Sequence, residues 1–123
     1  MIETKLLTEN LPVVYHRLSG RVSRKEVTDG TIEAMSVVKS IVDKNEQFDL
    51  ILDMRGYILD NLNAHRLWTL DFKEQKILQE HAKRVAIVGD NTETLETEKE
   101  MMESATLKFF TELDAAYYWL KIT

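Results

Sequence analysis

At 123 residues, with 44% hydrophobic and 30% charged side chains, the chain has the size and balance of one globular domain and not of a disordered segment. The absence of cysteine excludes disulfides, thiolate nucleophiles and zinc–cysteine sites, and the formal charge of −5 argues against a binder of phosphate backbones. No run reaches the ~18 apolar residues needed to span a bilayer, and Met1 to Lys5 lack the basic and apolar pattern of a leader, so one cytoplasmic domain over residues 1–123 is expected.

Lys5 to Thr8 and Val13 to Ser19 read as two strands joined at Asn10-Leu11-Pro12, the second rich in β-branched and aromatic residues. Ser23-Arg24-Lys25-Glu26 is a capping-box pattern that opens a helix. Val27, Met35, Val38, Ile41 and Val42 continue it at helical spacing, and Gly30 is expected to divide it into a short turn and a longer helix. Phe48 to Met54 is a short, mostly apolar run, the pattern of a central strand covered on both faces, ended by Arg55-Gly56.

Asn63 is a plausible cap for a second helix from Ala64 to about His81, carrying Leu67, Trp68, Phe72 and Leu78. Arg84 to Val88, closed by Gly89-Asp90, reads as another buried strand. Thr92 to Ser104 reads as a polar third helix, Leu107 to Phe110 as an edge strand, and Thr111 onward as a last helix. Buried strands alternating with helices predict an α/β fold. Its mostly parallel sheet has five strands, with an N-terminal β-hairpin adding one antiparallel strand at the edge, and about four helices.

Three stretches carry a family likeness: Phe48 to Gly56 (FDLILDMRG), His81 to Asp90 (HAKRVAIVGD) and Phe109 to Leu120 (FFTELDAAYYWL). They resemble the SpoIIAA-like group of bacterial proteins over nearly the whole chain. The resemblance implies the STAS-type fold of the anti-sigma-factor antagonists, which is related to the Sec14-type lipid-binding fold. In those antagonists an Asp-Ser-Ser-Gly segment follows such a strand, and its serine is phosphorylated to switch partners. Here the matching region is Asp60-Asn61-Leu62-Asn63-Ala64, with no serine or threonine between Asp53 and Thr69. The phosphorylation switch therefore lacks its acceptor.

The candidate site is the rim at the carboxyl ends of the strands, where open α/β sheets bind ligands. Asp53, Arg55 and Tyr57 flank the end of one strand and Asp90 the end of the next, with Asp60 and His65 beside them at the following helix start. Two readings are open. Arg55 pairs with an anionic ligand group, or the aspartates bond loop amides while Arg55 pairs with a neighbouring carboxylate. His65 near Asp60 could act as a general base, but no serine, threonine or cysteine lies nearby in sequence to serve as nucleophile. His16, His65 and His81 are too dispersed for a metal site, and the single glycine of Gly89-Asp90-Asn91 is not a phosphate loop, so neither metal nor cofactor is expected.

The acidic run Glu93, Glu96, Glu98, Glu100 and Glu103 is either a solvated face or a weakly anchored lid. Met35, Met54, Met101 and Met102 suit either an adaptable pocket or a core. Tyr117-Tyr118-Trp119 cannot all face one core, since adjacent helix positions diverge by about 100°. Tyr118 is expected to be exposed, and Tyr117 and Tyr118 are candidates for a homodimer contact. The chain thus reads as a non-enzymatic regulatory or protein-interaction module. The alternative is a carrier or sensor of a small apolar or amphipathic, lipid-like ligand, and an enzyme using Asp53, Arg55 and His65 is a third and weaker reading.

Overall fold

The computed structural model describes residues 2–6, 12–44, 47–59, 81–90, 96–97, 99–100 and 103–120. Among them lie strands β1 (Ile2–Leu6), β2 (Val13–Leu18), β3 (Gly20–Val22), β4 (Phe48–Asp53), β5 (Tyr57–Leu59), β6 (Ala82–Val88) and β7 (Leu107–Phe110). The two helices are α1 (Arg24–Val42) and α2 (Leu113–Leu120).

Five strands form one sheet in the order β1-β2-β4-β6-β7. β1 pairs antiparallel with β2, and every other pairing is parallel. The mixed sheet with its antiparallel hairpin edge is as expected. Its first strand lies earlier than Lys5–Thr8, because Ile2 to Leu6 are the residues in register with Leu18 to Val14. Of about four helices expected, two lie wholly among the described residues. The helix expected from Ala64 to about His81, His81 itself apart, and most of that from Thr92 to Ser104 fall outside them, although residues 81, 96–97 and 99–100 are helical. No helix among the described residues is long and apolar enough to cross a membrane.

Strand alternation sorts the core into two layers. Val14, Leu18, Phe48, Leu50, Leu52, Met54, Val85, Ile87 and Phe109 cluster on the face covered by Val38 and Ile41 of α1. Val13, Tyr15, Ile51, Ala86 and Val88 cluster on the other face with Ala116 and Leu120 of α2. β4 is buried at all six positions, as a strand central to a parallel sheet must be. Met54 belongs to the α1-side core and Met35 packs against that cluster, whereas Met101 and Met102 lie outside the described residues.

α1 begins with the expected capping box. The Glu26 amide donates to Ser23 Oγ at 3.2 Å, and the Ser23 amide donates to Glu26 Oε1 at 3.4 Å. Gly30 does not divide it; the helix runs unbroken from Arg24 to Val42. Gly30 is there because β1 crosses close by: a Cβ on it would stand 2.6 Å from Ile2 Cγ2. Gly30→Ala is therefore expected to lower stability, despite the helix-propensity gain of up to about 1 kcal/mol from alanine. In an Ile2→Ala background, which removes the colliding methyl, the same change is expected to stabilise. A double-mutant cycle from urea unfolding measures the sign reversal.

β3 and β5 form a separate two-stranded parallel sheet that sequence periodicity does not reveal. They extend β2 and β4 beyond the main sheet. Arg17 faces Asp53 in the first register and Gly20 faces Tyr57 in the second, so the β4 side carries one extra residue across the break. That surplus falls at Met54-Arg55-Gly56, and it shapes the rim.

Candidate functional site

The rim is built where β2 and β4 leave the main sheet. Tyr15, Arg17 and Asp53 share the α2 side by alternation, and the parallel register sets Arg17 beside Asp53. The chain then turns at Gly20 and Gly56, both at positive φ (73° and 71°), where a side chain would be strained. The Gly20 amide donates to the Gly56 carbonyl at 2.9 Å, tying the two turns together. Asp90 Oδ2 accepts from the Gly56 amide at 2.8 Å, linking the end of β6 to the same turn.

Asp53 is fully buried and is the centre of the site. Its Oδ2 accepts from Tyr15 Oη at 2.6 Å, Arg17 Nη1 at 2.6 Å and Arg55 Nη2 at 2.8 Å. Its Oδ1 accepts from Arg55 Nε at 2.9 Å and from the Arg55 amide at 3.2 Å. Burial alone would push this carboxyl up. The hydrogen bonds from Arg55 and Tyr15 and the charge of Arg17 outweigh that cost and hold it down at about 2. Burial and the Asp53 carboxylate both push the Tyr15 phenol up from 10.0, and hydrogen bonding to Asp53 pushes the Arg55 guanidinium up as well. Around neutral pH all of these groups keep one charge state.

The expected site residues are thus partly assembled. Asp53 and Arg55 bond each other, and Asp90 meets the same turn through Gly56. Tyr57 lies on β5 opposite Gly20, its backbone alone being described, and Asp60 and His65 lie outside the described residues. Tyr15 and Arg17 are the members the sequence did not reveal. They stand 38 and 36 residues from Asp53, and only the β2–β4 register joins them. The readable signal was polar residues at the carboxyl ends of two buried strands, Arg17 on one and Asp53-x-Arg55 on the other.

The amino end of the same sheet face carries a second charged pair, with a different use. Asp49 is fully buried on β4, and Arg84 Nη2 lies 3.6 Å from its Oδ2, an ion pair beyond hydrogen-bond length. Burial pushes the Asp49 carboxyl above its usual range. Arg84 donates to the carbonyls of Trp119 at 2.8 Å and Leu120 at 3.3 Å, and its guanidinium lies 5.5 Å from the Trp119 ring centroid. It brings donors and positive charge to the end of α2, whose last turn has no basic residue of its own, a structural role.

His16 points to the α1 side, 4% exposed, with Nδ1 2.9 Å from Thr4 Oγ1 of β1. Burial lowers its pKa to about 4. On α2, Tyr117 packs partly against the core while Tyr118 is 86% exposed, as its place in the aromatic run required. No group of three or more histidine and carboxylate side chains able to hold a metal occurs among the described residues.

Comparison with known proteins agrees with this architecture. A crystal structure of an uncharacterised protein of the DUF3478 family from Shewanella loihica, described as having a SpoIIAA-like fold, superposes with a TM-score of 0.59 at 18% identity. The match covers 98% of this chain and 92% of that one, and at this identity it speaks to fold alone. No curated protein matches. The SpoIIAA-like family matches residues 13–121, which span both core layers and every rim residue described above. This chain belongs to the SpoIIAA-like family.

Proposed function

We propose that the chain is a non-enzymatic binding module, of regulatory or protein-interaction type, whose working surface is the carboxyl rim around Asp53. The observation that carries this reading is the saturation of Asp53. Five donors converge on its two oxygens, so the carboxylate stays ionised and its lone pairs are taken. A group in that state is no general acid or base near neutral pH, where catalysis needs a pKa close to the working value. It is suited instead to fixing the rotamers of Tyr15, Arg17 and Arg55, as the supporting shell of a recognition site does. The two guanidiniums still reach solvent, with side chains 30% and 36% exposed. In a family whose antagonist relatives switch by serine phosphorylation, the segment after β4 offers no acceptor before Thr69, so recognition here runs without that switch.

A second reading, self-association, is favoured by the exposure of Tyr118 on α2. Native mass spectrometry of the purified chain, repeated after denaturation, tests both. The module reading expects the bare mass of a monomer or dimer. An excess mass that disappears on denaturation would overturn it in favour of a carrier of a small amphipathic ligand. If a dimer is present, Tyr118→Ala is expected to weaken it by about 1 kcal/mol or more; an unchanged dissociation constant would remove α2 from the contact.

A further inference from the structure

We propose that the rim binds a singly charged, planar oxyanion, a carboxylate, on the paired guanidiniums of Arg17 and Arg55. This inference rests on the reading of the rim as the working surface and names the chemistry it takes. Arg17 Nη1 and Arg55 Nη2 meet on the same oxygen, Asp53 Oδ2, so two like charges are held side by side, one from β2 and one from the turn after β4. One buried carboxylate offsets one of them. Asp53 is already satisfied by the two-pronged fork of Arg55, through Nε and Nη2, together with the Arg55 amide and the Tyr15 hydroxyl. Arg17 therefore adds a cation that Asp53 does not require, in a chain whose formal charge is −5.

Donor capacity points the same way. A guanidinium has five N–H donors, and Asp53 takes two side-chain donors from Arg55 and one from Arg17. The remainder lie on side chains about one-third exposed at the end of a parallel sheet, where ligands are received. Arg84 differs in that both of its terminal nitrogens donate to the carbonyls that end α2. There is open space beside the pair: among the described residues, chain neighbours aside, nothing stands within 4 Å of where a Cβ on Gly20 or Gly56 would be. Asp90, the other rim carboxylate among the described residues, is exposed and engaged with the Gly56 amide. Among the described residues the Asp53 cluster carries a net surplus of one charge, which matches a monoanion better than a dianion, and the planar fork matches a carboxylate in shape.

Titration of the full-length chain followed by amide NMR tests this, with the Gly20 and Gly56 signals as reporters. The probes are octanoate, N-acetylglutamate amide and, as the uncharged control, octanol. Both carboxylates are expected to move the two signals saturably, with affinity falling as salt is raised, and octanol is expected to move them at least tenfold less. The tighter of the two carboxylates identifies the source, a free amphipathic acid or an acidic side chain of a protein partner. Arg17→Gln leaves Asp53 its Arg55 fork and is expected to weaken binding about tenfold or more, with Arg17→Lys falling between. Equal response to octanol, or unchanged affinity in Arg17→Gln, would overturn the anion inference while leaving the rim as the binding surface. No movement of either glycine with any probe would overturn both.

Discussion

Asp53→Asn is expected to destabilise the fold by at least about 2 kcal/mol at pH 7. The carboxyl drops from its ordinary value of 3.8 to about 2 on folding, and each unit is worth about 1.4 kcal/mol. Because the folded value lies below the unfolded one, the stabilisation is complete above pH 3.8 and is lost as the pH falls through about 2. An asparagine also turns an amide donor toward a cluster that is all donors, which adds to the cost. Urea unfolding of both proteins from pH 7 to pH 2 is expected to show a gap that is constant to about pH 4 and then narrows, leaving the part due to the amide. A gap independent of pH would mean that the substitution acts by packing and not by charge.

Acid is expected to weaken the fold well before Asp53 titrates, and His16 is the reason. The unfolded imidazole takes its proton near 6.5, whereas the buried one resists until about 4. In that window the unfolded state binds the extra proton, so stability falls with falling pH by about 3 kcal/mol in total. Asp49 works against this slope, since burial raises its carboxyl and the folded state takes up that proton first. His16→Leu fills the same α1-side position without a titratable group and leaves Asp49 in place. The variant is expected to lose the slope between pH 6.5 and 4 and to be relatively more stable than the native chain at pH 4. Parallel slopes for the two proteins would show that His16 protonates without cost.

How far the sequence reached depends on the range of the interaction concerned. Local signals were legible: the capping box of Ser23 and Glu26, the buried run of β4, and the edge strand Leu107–Phe110 all stand where patterning put them. Gly30 was misread because a glycine inside a helix looks the same whether it breaks the helix or admits a neighbour, and the neighbour here is Ile2, far off in sequence. β3 and β5, at three residues each, are too short to show a period of two and exist only because β2 and β4 run side by side. Asp53 and Arg55 were legible as neighbours in the candidate site from their place at a strand end. Tyr15 and Arg17 were not, because their role comes from the parallel register, which no local pattern encodes. Asp49 was hidden for the reverse reason, a carboxylate inside an otherwise apolar run that reads as core.

The central claim is that one buried carboxylate holds two guanidiniums in place for recognition. The affinity of Asp53→Asn for octanoate at pH 7, compared with that of the native chain, tests it most directly because two physical effects oppose each other. Coulomb's law alone has the variant bind an anion more tightly, since a negative charge beside the site is gone. Positioning has it bind more weakly, since Arg17 and Arg55 lose the group that fixes their rotamers. Weaker binding by a folded Asp53→Asn protein is the predicted result; equal or tighter binding would contradict the account.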